Sequence, residues 1–202
     1  MEFVCYLVLG IWDFFTVMRI ISGASKGRRL TTPKGHGVRP TSDRVKESIF
    51  NILGGEVAEK VVLDLFAGTG NLGIEALSRG ARRALFVEKG RQAIRLIQKN
   101  LAQCGMEGRS EILPKDVTRA IGTLKEKGEI FDLILMDPPY GKGWVGRTLK
   151  KLQSEMIYHQ ESILIIQHDR REPLPNIADQ WTLIRERKIG DTMVSFLVPR
   201  SS

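Results

Sequence analysis

The run Val61-Val62-Leu63-Asp64-Leu65-Phe66-Ala67-Gly68-Thr69-Gly70-Asn71-Leu72-Gly73 constrains the fold of this chain more than any other. An apolar stretch of strand length enters a glycine-rich turn and then the amphipathic segment Leu72 to Arg79, as when a strand feeds a helix through a tight bend. Gly68, Gly70 and Gly73 fit the G-x-G-x-x-G spacing, in which glycines let the backbone turn sharply and approach a ligand at a helix N-terminus. Further strand-like runs begin at Ala84, Glu111, Ile130 and Ser162. This alternation predicts an α/β fold, a Rossmann-like, doubly wound and mostly parallel sheet. Two β-like runs around Gly190-Asp191, within Thr182 to Pro199, predict a hairpin and so an antiparallel C-terminal strand at the edge.

Acids stand at the strand ends. Asp64, Glu88, Asp116 and Asp137 close four successive runs, and the ligands of open α/β sheets bind outside that edge. Glu88 lies near the roughly 20-residue offset of a ribose-binding acid. Asp64 sits where a dinucleotide fold needs no carboxylate, and it suits a cationic ligand group. Asp137-Pro138-Pro139-Tyr140 adds a second kind of chemistry, because two prolines stop the strand and stiffen the turn. Such a turn offers a carboxylate and a backbone carbonyl to the two N–H groups of a planar amine, and an aromatic ring to the attached base. The reaction indicated is attack by an exocyclic amine on an electrophile.

Charge points to a partner. The net charge is +8, and between residues 19 and 46 Arg19, Lys26, Arg28, Arg29, Lys34, Arg39, Arg44 and Lys46 face only Asp43. A basic stretch rich in Gly and Ser beside an amine-binding turn reads as a phosphate-contacting arm. Residues 18–40 form a small β-rich arm on this reading, followed by a helix capped by Ser42 and running to about Leu53. The helix Gly90 to Cys104 turns Ile94, Ile97 and Leu101 inward and leaves Arg91, Arg95 and Lys99 as a solvent-facing stripe. Two cysteines, Cys5 and Cys104, form neither a ligand spacing nor a disulfide framework, which favours a reducing compartment. Three histidines, His36, His159 and His168, are scattered singly, so no metal is expected.

Together these motifs resemble class I S-adenosylmethionine-dependent methyltransferases, and more narrowly the RsmD-like family of bacterial 16S rRNA guanine-N2 methyltransferases. The likeness runs through Met18-Arg19-Ile20-Ile21-Ser22-Gly23, Lys26 to Leu30, Arg39 to Asn51, Leu63 to Gly73, Glu75 to Ala81 and Asp137 to Tyr140, and more loosely to Pro199. It implies that Asp64, Phe66, Gly68 and Gly70 surround the methionine end of S-adenosylmethionine. Glu88 would bind the ribose, Asp116 the adenine amine, and Arg39 and Thr41 would close over the cofactor. Asp137 and the Pro138 carbonyl would hold the target amine, with Pro139 stiffening the turn and Tyr140 stacking on the guanine. Arg19, Lys26, Arg28, Arg29, Lys34 and Arg44 would meet ribosomal RNA or the small ribosomal subunit. The carboxyl-terminal third supplies no site residue on this reading.

The organisation expected is residues 1–17 as a start-site extension, 18–53 as a basic arm with a cofactor-covering helix, and 54–202 as the methyltransferase domain. Met1 to Val17 is apolar but holds Glu2 and Asp13 and lacks a basic n-region, which fits neither a signal peptide nor a spanning helix. A cytoplasmic monomer that meets no membrane is the expectation. Three alternatives stay open. An adenine-N6 methyltransferase acting on DNA or another RNA would use the same amine clamp. A nicotinamide dehydrogenase would use the glycine turn but leaves Asp64 and Asp137 unexplained, and a non-catalytic RNA-binding module leaves the strand-end acids unexplained.

Overall fold

Val61–Asp64 (β1) has no polar face. All four residues are buried, as a central parallel strand covered on both sides requires. The computed structural model describes residues 18–33, 43–175 and 180–200. The expectations for residues 1–17, for Lys34, Arg39 and Thr41 and for the Ser42 cap lie outside these residues.

β1 pairs in parallel with Arg83–Val87 (β2) on one side and Phe131–Met136 (β4) on the other. Ser110–Leu113 (β3) extends the sheet beyond β2, and Tyr158–Asp169 (β5) extends it beyond β4. Trp181–Ile189 (β6) and Thr192–Pro199 (β7) complete a seven-stranded sheet in the order β3-β2-β1-β4-β5-β7-β6. The mostly parallel sheet read from the sequence is present, and at its C-terminal side one strand, β7, runs antiparallel to both of its neighbours, β5 and β6. The hairpin turns at Gly190, whose φ of +62° is costly for a side-chain-bearing residue. Its second strand, β7, lies next to β5, so β6 forms the edge.

Alternation along the strands builds two cores. Val62, Ala84, Phe86, Leu133 and Leu135 face Asp43–Leu53 (α1), Asn71–Ser78 (α2) and Arg91–Cys104 (α3). Leu63, Leu85, Val87, Ile134 and Met136 face Val117–Glu126 (α4) and Trp144–Glu155 (α5). Each of these side chains larger than Ala84 contributes about 1.5–3 kcal/mol on burial, so both faces are strongly specified. The strand order reverses at β1 and β4, opening a crevice at their carboxyl ends.

Residues 18–33 fold back on this body. They make one isolated antiparallel bridge, Arg19 to Arg29, and bury Met18, Ile20 and Leu30 in the α1–α2–α3 core. Glu75 of α2 accepts the backbone N–H groups of Ile21 and Ser22 at 2.8 and 3.1 Å. Ser78 Oγ accepts from Ser25 N–H and donates to the Ser22 carbonyl. Lys46 is a correction to the charge reading, because it is 0% exposed and is no surface cation. Its Nζ donates to the Arg19 carbonyl and to Asn71 Oδ1, and lies 3.3 Å from Glu75 Oε2. Burial holds its pKa below the ordinary lysine value, against the pull of Glu75.

Candidate active site

One cavity of about 1220 Å³ opens at the crevice, ample for a cofactor and part of a second molecule. Asp64, Phe66, Gly68, Glu88, Asp116, Asp137, Pro138, Pro139 and Tyr140 all line it. The sheet brings them together because each of β1 to β4 ends at this edge, so residues far apart in sequence become neighbours.

The glycine turn divides its labour. Gly68 (φ +55°) lines the cavity, whereas Gly70 (φ +79°) is the N-cap of α2 and is absent from the wall. A Cβ on Gly73 would come within 2.3 Å of Phe86 Cε1, so the third glycine lets α2 lie against β2. Carboxylates fasten the turn. Asp64 Oδ2 accepts Gly73 N–H at 3.0 Å, and Glu88 accepts Gly68 N–H at 2.9 Å through Oε2 and Gly90 N–H at 2.7 Å through Oε1.

Asp64 is 1% exposed. Burial pushes its pKa up to about 7, and the negative charges of Asp137 and Glu88 add to this while the Gly73 and Phe66 N–H groups oppose it. A buried carboxylate in that state gains most from a cationic partner. Asp116 is the N-cap of α4, where Oδ1 accepts from Thr118 N–H at 3.1 Å and from the Thr118 hydroxyl at 2.8 Å. Its Oδ2 lies 3.8 Å from Lys89 Nζ. Burial works against its ionised form, but the Thr118 bonds and Lys89 prevail and hold its pKa below the usual aspartate value.

At the other side of the cavity Pro138 is buried, Pro139 exposed, and Asp137 and Tyr140 half-buried. The Tyr140 hydroxyl lies 3.5 Å from Thr192 Oγ1 on β7. Several wall residues escaped the sequence reading. Trp144 sits edge-on to Phe66 at 5.8 Å, with the Arg147 guanidinium 4.1 Å from its ring centre. Asn71, at the start of α2, has its Oδ1 fixed by Lys46 and its buried Nδ2 without a partner among the described residues. Gln167, Ile189 and Thr192 bring the carboxyl-terminal third into the wall, a part of the chain to which the sequence reading assigned no site residue. Arg95 and Lys99 are exposed as read, yet they also border the cavity, so their stripe is not purely a solvent face. Burial of Asn71 beside a cation could not be read from letters, because nothing local marks Lys46 as an interior residue.

Arg19, Lys26, Arg28, Arg29 and Arg44 do not line the cavity, whose basic wall residues are Lys89, Arg95, Lys99 and Lys115. Arg19 is exposed and pairs with Asp43 at 3.3 Å, and Arg28 donates to the Gln103 carbonyl. Lys26 and Arg29 are exposed. Arg44 borders a second depression shared with Arg185, Arg187 and Lys188 of β6, and Ile189 lines both openings. Among the described residues no cluster of His, Cys, Asp and Glu could hold a metal ion, and no helix is long and apolar enough to cross a membrane.

The chain is similar to known proteins over most of its length. A family model described as Conserved hypothetical protein 95 matches residues 18–198. Ribosomal RNA small subunit methyltransferase D of Escherichia coli (strain K12) is 34% identical over 173 residues, spanning 86% of this chain and 85% of that protein. Its namesake from Haemophilus influenzae is 32% identical over 177 residues, spanning 86% and 89%. The solved structure of yhhF from Escherichia coli matches with a TM-score of 0.81 at 31% identity, covering 91% of this chain and 98% of that one.

Proposed function

The chain belongs to the family described as Conserved hypothetical protein 95, the RsmD-like S-adenosylmethionine-dependent methyltransferases, and we propose that it methylates the exocyclic N2 amine of a guanine in small-subunit (16S) ribosomal RNA. The observation that carries this reading is the convergence of Asp64, Glu88 and Asp116 with the Asp137–Tyr140 turn on one cavity. The relatives named ribosomal RNA small subunit methyltransferase D support the RNA and the subunit. The choice of guanine N2 rests on the family likeness.

The residues present fit the cofactor. The orphaned Nδ2 of Asn71 is a donor suited to a carboxylate, and the strained ionisation of Asp64 suits a cation, as the two ends of a methionine require. Each Glu88 oxygen accepts one backbone N–H and keeps a lone pair for a ribose hydroxyl. Asp116 Oδ2 would accept from the adenine amine, Phe66 and Gly68 form the adjoining wall, and Gly70 shapes the turn. Arg39 and Thr41 are proposed to cover the site. S-adenosylmethionine, when bound, supplies an electrophilic methyl group.

The rest of the chemistry belongs to the chain. An aromatic amine is a poor nucleophile because its lone pair is delocalised into the ring. Asp137 and the Pro138 carbonyl accept its two N–H groups and turn the lone pair outward, with Pro139 fixing the turn. A hydrogen bond to a charged acceptor contributes about 1.5–3 kcal/mol, and stacking on Tyr140 about 1–3. Methyl transfer would exchange the donor's methyl–sulfur bond for the new N–C bond, leaving a neutral thioether, and the nitrogen would then lose a proton to Asp137 or to water. A base inside a helix cannot reach this turn, so the target is unpaired or flipped out. Arg19, Lys26, Arg28, Arg29, Lys34 and Arg44 are proposed to meet phosphates.

The test offers labelled S-adenosylmethionine with small-subunit RNA, assembled small subunits or duplex DNA, followed by mass analysis of the nucleosides. N2-methylguanosine from the ribosomal RNA supports the reading, and fragment mapping locates the nucleotide. N6-methyladenine, or no transfer to any acceptor, overturns it.

A further inference from the structure

Gln167 lies near the carboxyl end of β5, is 2% exposed and lines the cavity, yet its Nε2 has no hydrogen-bond partner among the described residues. An amide donor buried without a partner loses its hydrogen bonds to water and gains none in return. A donor in that state on a cavity wall is one that a ligand completes.

Its place in the sheet says which ligand. Ile166 pairs with Met136 as the last pair of the β4–β5 register, and Gln167 and Asp137 are the residues that follow them on the two chains. Neighbouring strands are about 4.8 Å apart, so both side chains can reach one flat molecule. β1 and its glycine turn lie on the far side of β4, which puts Gln167 with the methyl acceptor and away from the donor. On a guanine held by its N2 amine, the next groups along the edge are N1–H, a donor, and O6, an acceptor. A carboxamide carries the reverse pair, since Oε1 accepts and Nε2 donates. We propose that Gln167 is a base-reading subsite, whose carboxamide pairs with N1–H and O6 of the purine whose N2 amine Asp137 holds. This rests on the guanine-N2 reading above. It supplies that reading with a physical basis for base choice, because an adenine held by its N6 amine presents an unprotonated N1 next and no carbonyl at all.

The test uses small-subunit RNA ligated to carry either guanine or 2-aminopurine at the mapped nucleotide. 2-Aminopurine keeps the N2 amine but lacks both O6 and N1–H. Sites built to hydrogen-bond a substrate group reject analogues lacking it, so wild type prefers guanine by at least about 100-fold in kcat/KM. Gln167→Leu, which replaces the carboxamide with an apolar side chain of similar size, brings guanine down to the 2-aminopurine level and the ratio near one. Its affinity for S-adenosylhomocysteine, measured by calorimetry, stays within about twofold, as for a change outside the donor half of the cavity. Gln167→Glu retains an acceptor for N1–H but loses the donor to O6, so its ratio falls between the two. An undiminished preference for guanine in Gln167→Leu overturns the subsite, as does a parallel loss of S-adenosylhomocysteine affinity, which would place Gln167 against the cofactor. Failure of the wild-type enzyme to methylate guanine N2 appears already in the mapping experiment and sinks the broader reading instead.

Discussion

Asp64 Oδ2 accepts the backbone N–H of Gly73 at 3.0 Å, tying the last residue of β1 to the third glycine of the turn. The same carboxylate lines the cavity and is almost wholly buried. It therefore shapes the turn from within while offering its charge to whatever enters.

The ionisation of Asp64 makes ligand affinity depend on pH. With an ordinary value of 3.8 and a folded value of about 7, the folded chain keeps a proton between these limits that the unfolded chain releases. Stability from this group falls as pH rises through that window and is flat above it. A cationic ligand favours the carboxylate, so affinity for S-adenosylmethionine climbs up to about tenfold per pH unit toward neutrality and then levels. Calorimetry on both sides of neutrality, in buffers of different ionisation enthalpy, reads the affinity and the proton released. Asp64→Asn weakens binding and flattens the slope. A flat profile in the wild type would remove the cation-binding role.

Asp137→Ala separates chemistry from cofactor binding. Loss of the charged acceptor lowers kcat by about 10²–10³-fold, as for other groups that orient and stabilise the reacting centre. Affinity for S-adenosylhomocysteine stays within a few-fold. Single-turnover assays beside equilibrium binding measure both, and undiminished methylation would dismiss the amine clamp.

Gly73→Ala tests the packing role of the third glycine. The added methyl meets Phe86 in the closed core, and overpacking of this kind costs about 1–3 kcal/mol. Chemical denaturation reads the loss, and pairing the change with Phe86→Leu recovers part of it. An unchanged midpoint would mean that α2 and β2 are less tightly apposed than described.

Lys46→Met probes the buried ion pair. Its removal leaves Glu75 with Arg79 and two backbone donors but without its interior cation, and breaking a buried pair costs about 3–5 kcal/mol. Residues 18–33 lose the anchor at the Arg19 carbonyl and become more open to proteolysis. Equal cleavage of wild type and variant would show that the remaining Glu75 and Ser78 bonds suffice.

The legible parts of this molecule are those set by local pattern. The apolar runs and the Gly68-x-Gly70 turn announce strands and a bend within a few residues, and the acids at the ends of those runs share an edge once the strands are parallel. Gln167 and Asn71 are not legible from the sequence as cavity residues, because what marks them is an unmet hydrogen bond that only three-dimensional neighbours define. Lys46 misled for the same reason, since a cation among cations reads as surface until Glu75 and Asn71 are seen around it. Arg185 and Arg187 sit in an edge strand whose charges suit solvent as well as any partner, and only the adjacent α1 groove gives them a setting.

Because the strand order reverses between β1 and β4, the residues assigned to the methyl donor and those assigned to its acceptor occupy different halves of one rigid sheet. Side chains at the ends of β4, β5 and β7 lie outside the glycine turn of the donor half, and of them the charge of Asp137 is felt at Asp64. Retargeting such an enzyme to another nucleobase is then a matter of regrafting three strand tips, with the fuel-handling half inherited whole.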